Sequence, residues 1–279
     1  MAAPIAITGS TGGIGGIVAR TLAEQEVPQR LLVRDAARAP RLEGAEVAVT
    51  EYRDAERSRD ALAGIRTLLM VSGSESADRV DEHRAFVAAA ADAGVEHIVY
   101  TSFVGAAPDA TFTLARDHGA TEEAIRASGM AFTFLRDNLY TDFLELLAGE
   151  DGVIRGPAGD GRAATVTRAD VAAVAVEVLQ NPSAHAGATY DLTGPEALSL
   201  DEVAAILSSA TGRPFAYQRE TYDEALASRA VYRAPDWQVE AWVSTYVAIA
   251  SGDLEAVSDD IPALLGRPAV GLRGFLAAR

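Results

Sequence analysis

The chain has 279 residues, 49% of them hydrophobic, and carries 24 basic against 40 acidic side chains for a formal net charge of −16. That length buries a large core, in one large domain or a main domain with a smaller lobe, and the charge repels nucleic acid and anionic membrane, so neither is expected as a partner. There is no cysteine, no apolar run near the roughly 18 residues of a membrane span, and no charged-then-apolar leader, which together point to a cytoplasmic protein without disulfides.

Four scattered histidines without cysteine argue against a metal site. All 24 basic residues are arginine. Any mechanism that needs a catalytic lysine is therefore excluded for the whole chain.

In chain order, β-rich runs at Ile5 to Thr8, Arg30 to Val33, Glu46 to Val49, Thr67 to Val71, His97 to Thr101 and Phe132 to Leu135 read as strands. Between them, Gly13 to Glu24, Arg57 to Leu62, Ala77 to Ala93 and Thr121 to Ala127 read as helices. This rhythm predicts an α/β fold: a Rossmann-type doubly wound parallel sheet over residues 1–150, to which 168–193 is expected to return through a helix at Arg168 to Gln180 and a strand at Thr189 to Leu192. Gly152 to Thr165 is Gly-rich and reads as a loop or hairpin. Residues 151–167 and 194–279 are expected to form a smaller, mostly helical substrate-binding lobe, beginning with a helix over Asp201 to Thr211 that stops at Gly212.

The first strand runs into Thr8-Gly9-Ser10-Thr11-Gly12-Gly13-Ile14-Gly15-Gly16, with glycines 9, 12 and 15 spaced G-x-x-G-x-x-G. Such spacing lets the chain turn tightly, bring backbone N–H groups against a pyrophosphate and pack a helix close to its strand. A lone glycine motif is weak, but one that follows a strand and opens a helix reads as a dinucleotide site. At the end of the second strand an acid suits NAD and an arginine suits the 2′-phosphate of NADP. Arg34 occupies that place with Arg38 nearby, favouring NADP(H) over NAD(H), while Asp35 could instead face the ribose.

Taken with TGSTGGIG (8–15), LLVRD (31–35), EYRD (51–54), LLMVSG (68–73), AGVEHIVYTS (93–102), the 118–140 run from HGATEE to LRDNLY, and LLGRP (264–268), these motifs make the chain resemble the NmrA-like atypical short-chain dehydrogenases, and within them the NAD(P)H:quinone oxidoreductase type 2 group, over essentially its full length. The resemblance implies that Gly9, Thr11, Gly12, Gly13, Ile14 and Gly15 line the dinucleotide phosphates, that Arg34 takes the 2′-phosphate and that Asp54 lies near the adenine. It further implies that Val71, Ser72 and Gly73 flank the nicotinamide-side ribose, with Thr101 and Ser102 at the carboxyl edge of the sheet; Asn138, after the sixth strand, is a candidate contact of the nicotinamide carboxamide, the alternative being a structural role. The family's usual arginine-asparagine-glycine-aromatic-tyrosine run departs here to Arg136-Asp137-Asn138-Leu139-Tyr140, and its later asparagine is Phe143.

Ordinary short-chain dehydrogenases use a tyrosine to protonate the substrate oxygen and a lysine, four residues on, to lower its pKa. Counting back from Glu122 places Leu114 and His118 at those positions. A quinone relaxes the need, because hydride addition gives a delocalised hydroquinone anion that protonates from water. The expectation is an NADPH-dependent oxidoreductase acting on a quinone or similar conjugated carbonyl, with His118, Ser102 and Tyr140 as candidate catalytic residues. The alternatives are an NADP(H)-sensing regulator without turnover and a tailoring reductase of an aromatic polyketide. The Asp81-Glu82-His83 run reads as one solvated helix turn. Phe215, Tyr217, Tyr222, Tyr232, Trp237, Trp242 and Tyr246 are either the core of the small lobe or a stacking surface for a flat substrate, and a homodimer is left open.

Overall fold

A computed structural model describes residues 5–279. The first half alternates β1 (Ile5–Ile7), α1 (Gly13–Glu24), β2 (Gln29–Val33), β3 (Ala45–Val49), α2 (Ala55–Ala61), β4 (Thr67–Met70), α3 (Arg79–Asp92), β5 (His97–Phe103), α4 (Thr113–Ala127) and β6 (Ala131–Asp137). There follow β7 (Val153–Gly156), β8 (Arg162–Ala163), α5 (Arg168–Gln180), β9 (Thr189–Leu192), β10 (Leu198–Ser199), α6 (Leu200–Thr211), β11 (Ala216–Arg219), α7 (Tyr222–Ser228), α8 (Asp236–Ala250), α9 (Asp260–Leu265) and α10 (Leu272–Ala277).

Seven strands form one sheet in the order β3-β2-β1-β4-β5-β6-β9. The β1–β2, β2–β3, β1–β4 and β4–β5 pairings are all parallel, with Ile7 between Leu31 and Leu69. This is the doubly wound Rossmann order, and the strand order reverses between β1 and β4, the switch point where ligands of such sheets bind. Interior strands β1 and β5 are buried throughout, which is why IAI and HIVYTSF read as unbroken runs. Edge strand β3 has no fully buried residue and leaves Val47 and Val49 each 45% exposed.

Two readings change. Helix α4 starts at Thr113, eight residues before the predicted Thr121, so Leu114 and His118 are both helical. Its buried Ala115, His118, Thr121, Glu122 and Ile125 recur at helical spacing, and their packing carries the helix through Gly119, a poor helix former. Within Gly152 to Thr165, β7 and β8 do not form a hairpin: β7 pairs in parallel with β11, and β8 antiparallel with β10.

The chain divides into two compact units. The first comprises Met1–Ser102, Asp117–Arg136 and Val171–Tyr190, with a core that includes Leu32, Leu68, Phe86, Ile98, Tyr100 and Phe134. The second comprises Phe103–Arg116, Asp137–Asp170 and Asp191–Arg279, and its core gathers Ile154, Val203, Leu207, Tyr217, Tyr246 and Ile249. Helix α6 of the second unit opens with a Ser199–Glu202 capping box and closes at Gly212, whose φ of +72° is the left-handed stop expected there. Within the same unit Asp170 accepts from the Thr167 hydroxyl and the Val270 N–H and pairs with Arg267 at 2.7 Å, fastening the LLGRP segment to α5.

Candidate functional site

The turn after β1 takes its shape from glycine. Gly9 has φ +64°, and a Cβ on Gly15 would lie 2.5 Å from the Thr8 carbonyl oxygen and 2.6 Å from that of Gly9, so no side chain fits where α1 crosses the strand end. The Gly12 N–H donates back to the Gly9 carbonyl at 2.8 Å and Gly12 becomes the N-cap of α1. No side chain caps that end, and the first turn carries no acid. The first-turn N–H groups and the positive end of the helix dipole are thus left for an external anion, and the Ser10 hydroxyl is buried beside them without a partner among the described residues.

Beyond β2, Arg34 is exposed and forms no ion pair among the described residues, and the same holds for Arg38. Asp35 accepts from the Ala37 N–H at 2.9 Å, capping the short turn Ala36–Arg38. Its carboxylate is thereby engaged locally, beside two guanidinium groups that make no ion pair among the described residues. Asp54 caps α2 through the Arg57 N–H at 3.1 Å and pairs with that side chain at 3.4 Å. These residues fit a 2′-phosphorylated dinucleotide.

The loop after β4 is held differently. The Val71 N–H donates to Thr8 Oγ1 at 2.8 Å, the Ser72 N–H to Thr101 Oγ1 at 2.8 Å and the Gly73 N–H to His83 Nε2 at 2.9 Å. The Tyr52 hydroxyl donates to the Val71 carbonyl and lies 2.7 Å from Thr8 Oγ1. Burial raises the Tyr52 pKa far above its ordinary value, so it remains a neutral donor.

Beneath this loop lies a buried polar cluster. Arg79, 5% exposed, reaches His118 Nε2 at 3.0 Å and Asp117 at 3.4 Å, and His118 Nδ1 lies 2.9 Å from the Tyr100 hydroxyl. A guanidinium only donates, so Nε2 accepts and the His118 proton sits on Nδ1, directed at Tyr100. Burial first, then the charge of Arg79 and the neighbouring His83, hold the His118 pKa well below the ordinary histidine range. At 6% exposure, with both ring nitrogens engaged, it turns inward as a neutral bridge.

His83 is fully buried, not solvated as the Asp81-Glu82-His83 run suggested, and desolvation followed by the Arg79 charge lowers its pKa to about 3. Arg79, His83, Phe86, Val87 and Ala90 are the buried residues on one face of α3, a periodicity that reading DEH as a charge run obscured. Arg79 lies in none of the quoted motifs, and Tyr52, Tyr100 and Thr121 lie within them with no role assigned.

Ser102 is completely buried, and its hydroxyl donates to Glu122 Oε1 at 2.6 Å. The same carboxylate takes both Arg136 (2.8 and 2.7 Å) and Arg126 (3.0 Å), so β5, α4 and β6 are strapped together here. In the second unit, Asn138 is 1% exposed; its Nδ2 donates to the Leu254 carbonyl at 3.0 Å and its Oδ1 accepts from the Leu139 N–H at 2.7 Å. Tyr140 donates to Asp137 at 2.5 Å. Of the lobe's aromatics, Phe215, Tyr217 and Tyr246 are buried core, while Tyr222 and Tyr232 are 42% and 67% exposed, with Tyr232 edge-on to Trp242.

A family model described as NAD(P)H-binding matches residues 9–182. The chain belongs to that family. This NAD(P)H-binding protein is 36% identical over 98% of its length, and 97% of the relative's, to an NAD(P)H azoreductase of Xenophilus azovorans. It matches the crystal structure of an NADPH-dependent quinone oxidoreductase from Escherichia coli complexed with NADPH at 33% identity and a TM-score of 0.90, covering 98% and 99% of the two chains. It also matches a Citrobacter sp. triphenylmethane reductase complexed with NADP(H) at 34% identity and a TM-score of 0.87, again over 98% and 99%. Its relatives are NAD(P)H-dependent oxidoreductases, and no helix among its described residues is long and apolar enough to cross a membrane.

Proposed function

We propose that this protein is an NADPH-dependent reductase that delivers hydride to a quinone or a similarly conjugated acceptor without a Tyr-x-x-x-Lys relay. The observation that carries the reading is the uncapped α1 N-terminus on its glycine turn, together with Arg34 and Arg38 standing free of acidic partners past β2. The turn would hold the pyrophosphate through backbone N–H groups, and the two arginines would meet the 2′-phosphate. NADPH, when bound, supplies the hydride.

The chain's own residues then orient and do not shuttle protons. Thr8, Thr101 and His83 fix the loop at Val71–Gly73, Ser102 braces β5 through Glu122, and His118 bridges Arg79 and Tyr100 as a neutral imidazole. A conjugated acceptor suits such a site because the charge left by hydride addition is delocalised over the product, so positioning supplies most of the acceleration. The relatives named for quinone, azo and triphenylmethane reduction support an extended π-system as the acceptor.

The test is NADPH oxidation against a panel of simple quinones and azo dyes, run in parallel with NADH. Turnover with quinones and a clear preference for NADPH is expected. A flat trace across the panel, with NADPH still bound tightly, would replace this reading with that of a nucleotide-sensing regulator.

A further inference from the structure

His83 bonds Gly73, a candidate cofactor residue, and among the described residues it is the one helix side chain that holds the loop after β4. We infer that His83 is a positioning residue for the nicotinamide half of the dinucleotide, acting through the Gly73 N–H; the inference rests on the NADPH reading above.

The bonding has only one self-consistent arrangement. The Gly73 N–H can only donate, so His83 Nε2 is unprotonated and the ring proton sits on Nδ1, 2.9 Å from Thr121 Oγ1. The Thr121 hydroxyl in turn donates to the Asp117 carbonyl, one turn earlier on α4, at 2.7 Å. Donors therefore run in one direction, from loop to imidazole to hydroxyl to helix backbone. Protonating the ring would break the Gly73 bond.

Packing holds the ring in that pose. Tyr52 meets it edge-on at 5.5 Å and Tyr100 at 6.1 Å, and a Cβ on Gly73 would come within 3.0 Å of Nε2. The loop backbone approaches the imidazole as closely as it does because residue 73 has no side chain.

The other two N–H groups of the loop are held by hydroxyls on the sheet side, Thr8 just past β1 and Thr101 within β5. His83 differs, since it ties the loop to α3 and, through Thr121, to α4. Removing it frees the Gly73 N–H and the last residue of a three-residue segment whose path the sheet alone does not determine. An unsatisfied amide there would rotate toward solvent and carry Val71 and Ser72 out of register with the bound ribose.

The test compares His83→Leu, His83→Gln and, as a control, His97→Leu, by NADPH dissociation constant from fluorescence titration and by melting temperature. His97 is also a buried histidine, bonded to Thr133 Oγ1 on the neighbouring strand, but has no contact with the loop. Expected are a roughly tenfold rise in Kd for His83→Leu, recovery to within about threefold of wild type for His83→Gln, whose amide oxygen can accept the same N–H, and a lower melting temperature with unchanged Kd for His97→Leu. Should His83→Leu fail to fold, Thr121→Val decides, with a rise of about threefold expected from loss of the ring's second anchor. Folded His83→Leu or Thr121→Val with wild-type affinity overturns the inference, as does a His97→Leu variant that loses affinity equally. Wild-type protein with no affinity for NADPH would instead overturn the functional reading beneath it.

Discussion

Two backbone segments flank the switch point of the sheet, and they are built on opposite plans. The glycine turn after β1 leaves its N–H groups without side-chain partners, whereas in the loop after β4 each of the three N–H groups of Val71, Ser72 and Gly73 is satisfied internally. One segment offers hydrogen bonds, and the other has already made its own. A site that must hold a charged diphosphate and also keep a neutral ring in one plane uses both: open donors for affinity, closed donors for geometry.

The strongest way to break this contrast is Gly15→Ala. Its Cβ would push on the backbone of Thr8 and Gly9 and displace every open N–H at once; NADPH affinity is expected to fall by about 100-fold, read by titration, and the melting temperature by several degrees. Arg34→Ala comes next. It leaves the turn intact but removes a free guanidinium, so the Kd for NADPH should rise roughly 10- to 100-fold while that for NADH stays put. Equal losses for both nucleotides would move the 2′-phosphate away from Arg34.

The closed segment can be probed with pH. The His83 pKa is lowered by burial from 6.5 to about 3, so folding favours the neutral ring; that contribution is fully present above pH 6.5 and is lost as pH falls toward 3, because the unfolded chain takes up a proton the folded one refuses. His118 acts in the same direction. The melting temperature should decline steadily over that window, and less so in His83→Gln. The smallest effect is expected from His118→Ala, which removes the bridge between Arg79 and Tyr100 without touching the loop: NADPH turnover should drop only about two- to fivefold. Complete loss would restore His118 as an essential acid.

The open segment was legible in the sequence because its function is written in absences of side chains, and glycine spacing after a strand is visible without knowing the fold. The buried strands of the parallel sheet were also legible, since they read as continuous apolar runs. The closed segment was not. Thr8, Thr101 and His83 meet residues 63, 29 and 10 positions away, and only the closed sheet brings them there. The Tyr-x-x-x-Lys count singled out His118 but gave no direction for its ring, because the start of α4 was placed after it. Asn138 was expected to face a carboxamide, and the structure commits both ends of its own amide to backbone; that use depends on Leu254, 116 residues away, which no local pattern reveals.

Arg79 carries a further consequence. Under the loop it is a buried positive charge, and the imidazoles around it are held neutral. The cluster therefore has the same electrical state in a mildly acidic and a mildly alkaline cell. This cluster would add no inflection of its own to the turnover rate near neutrality.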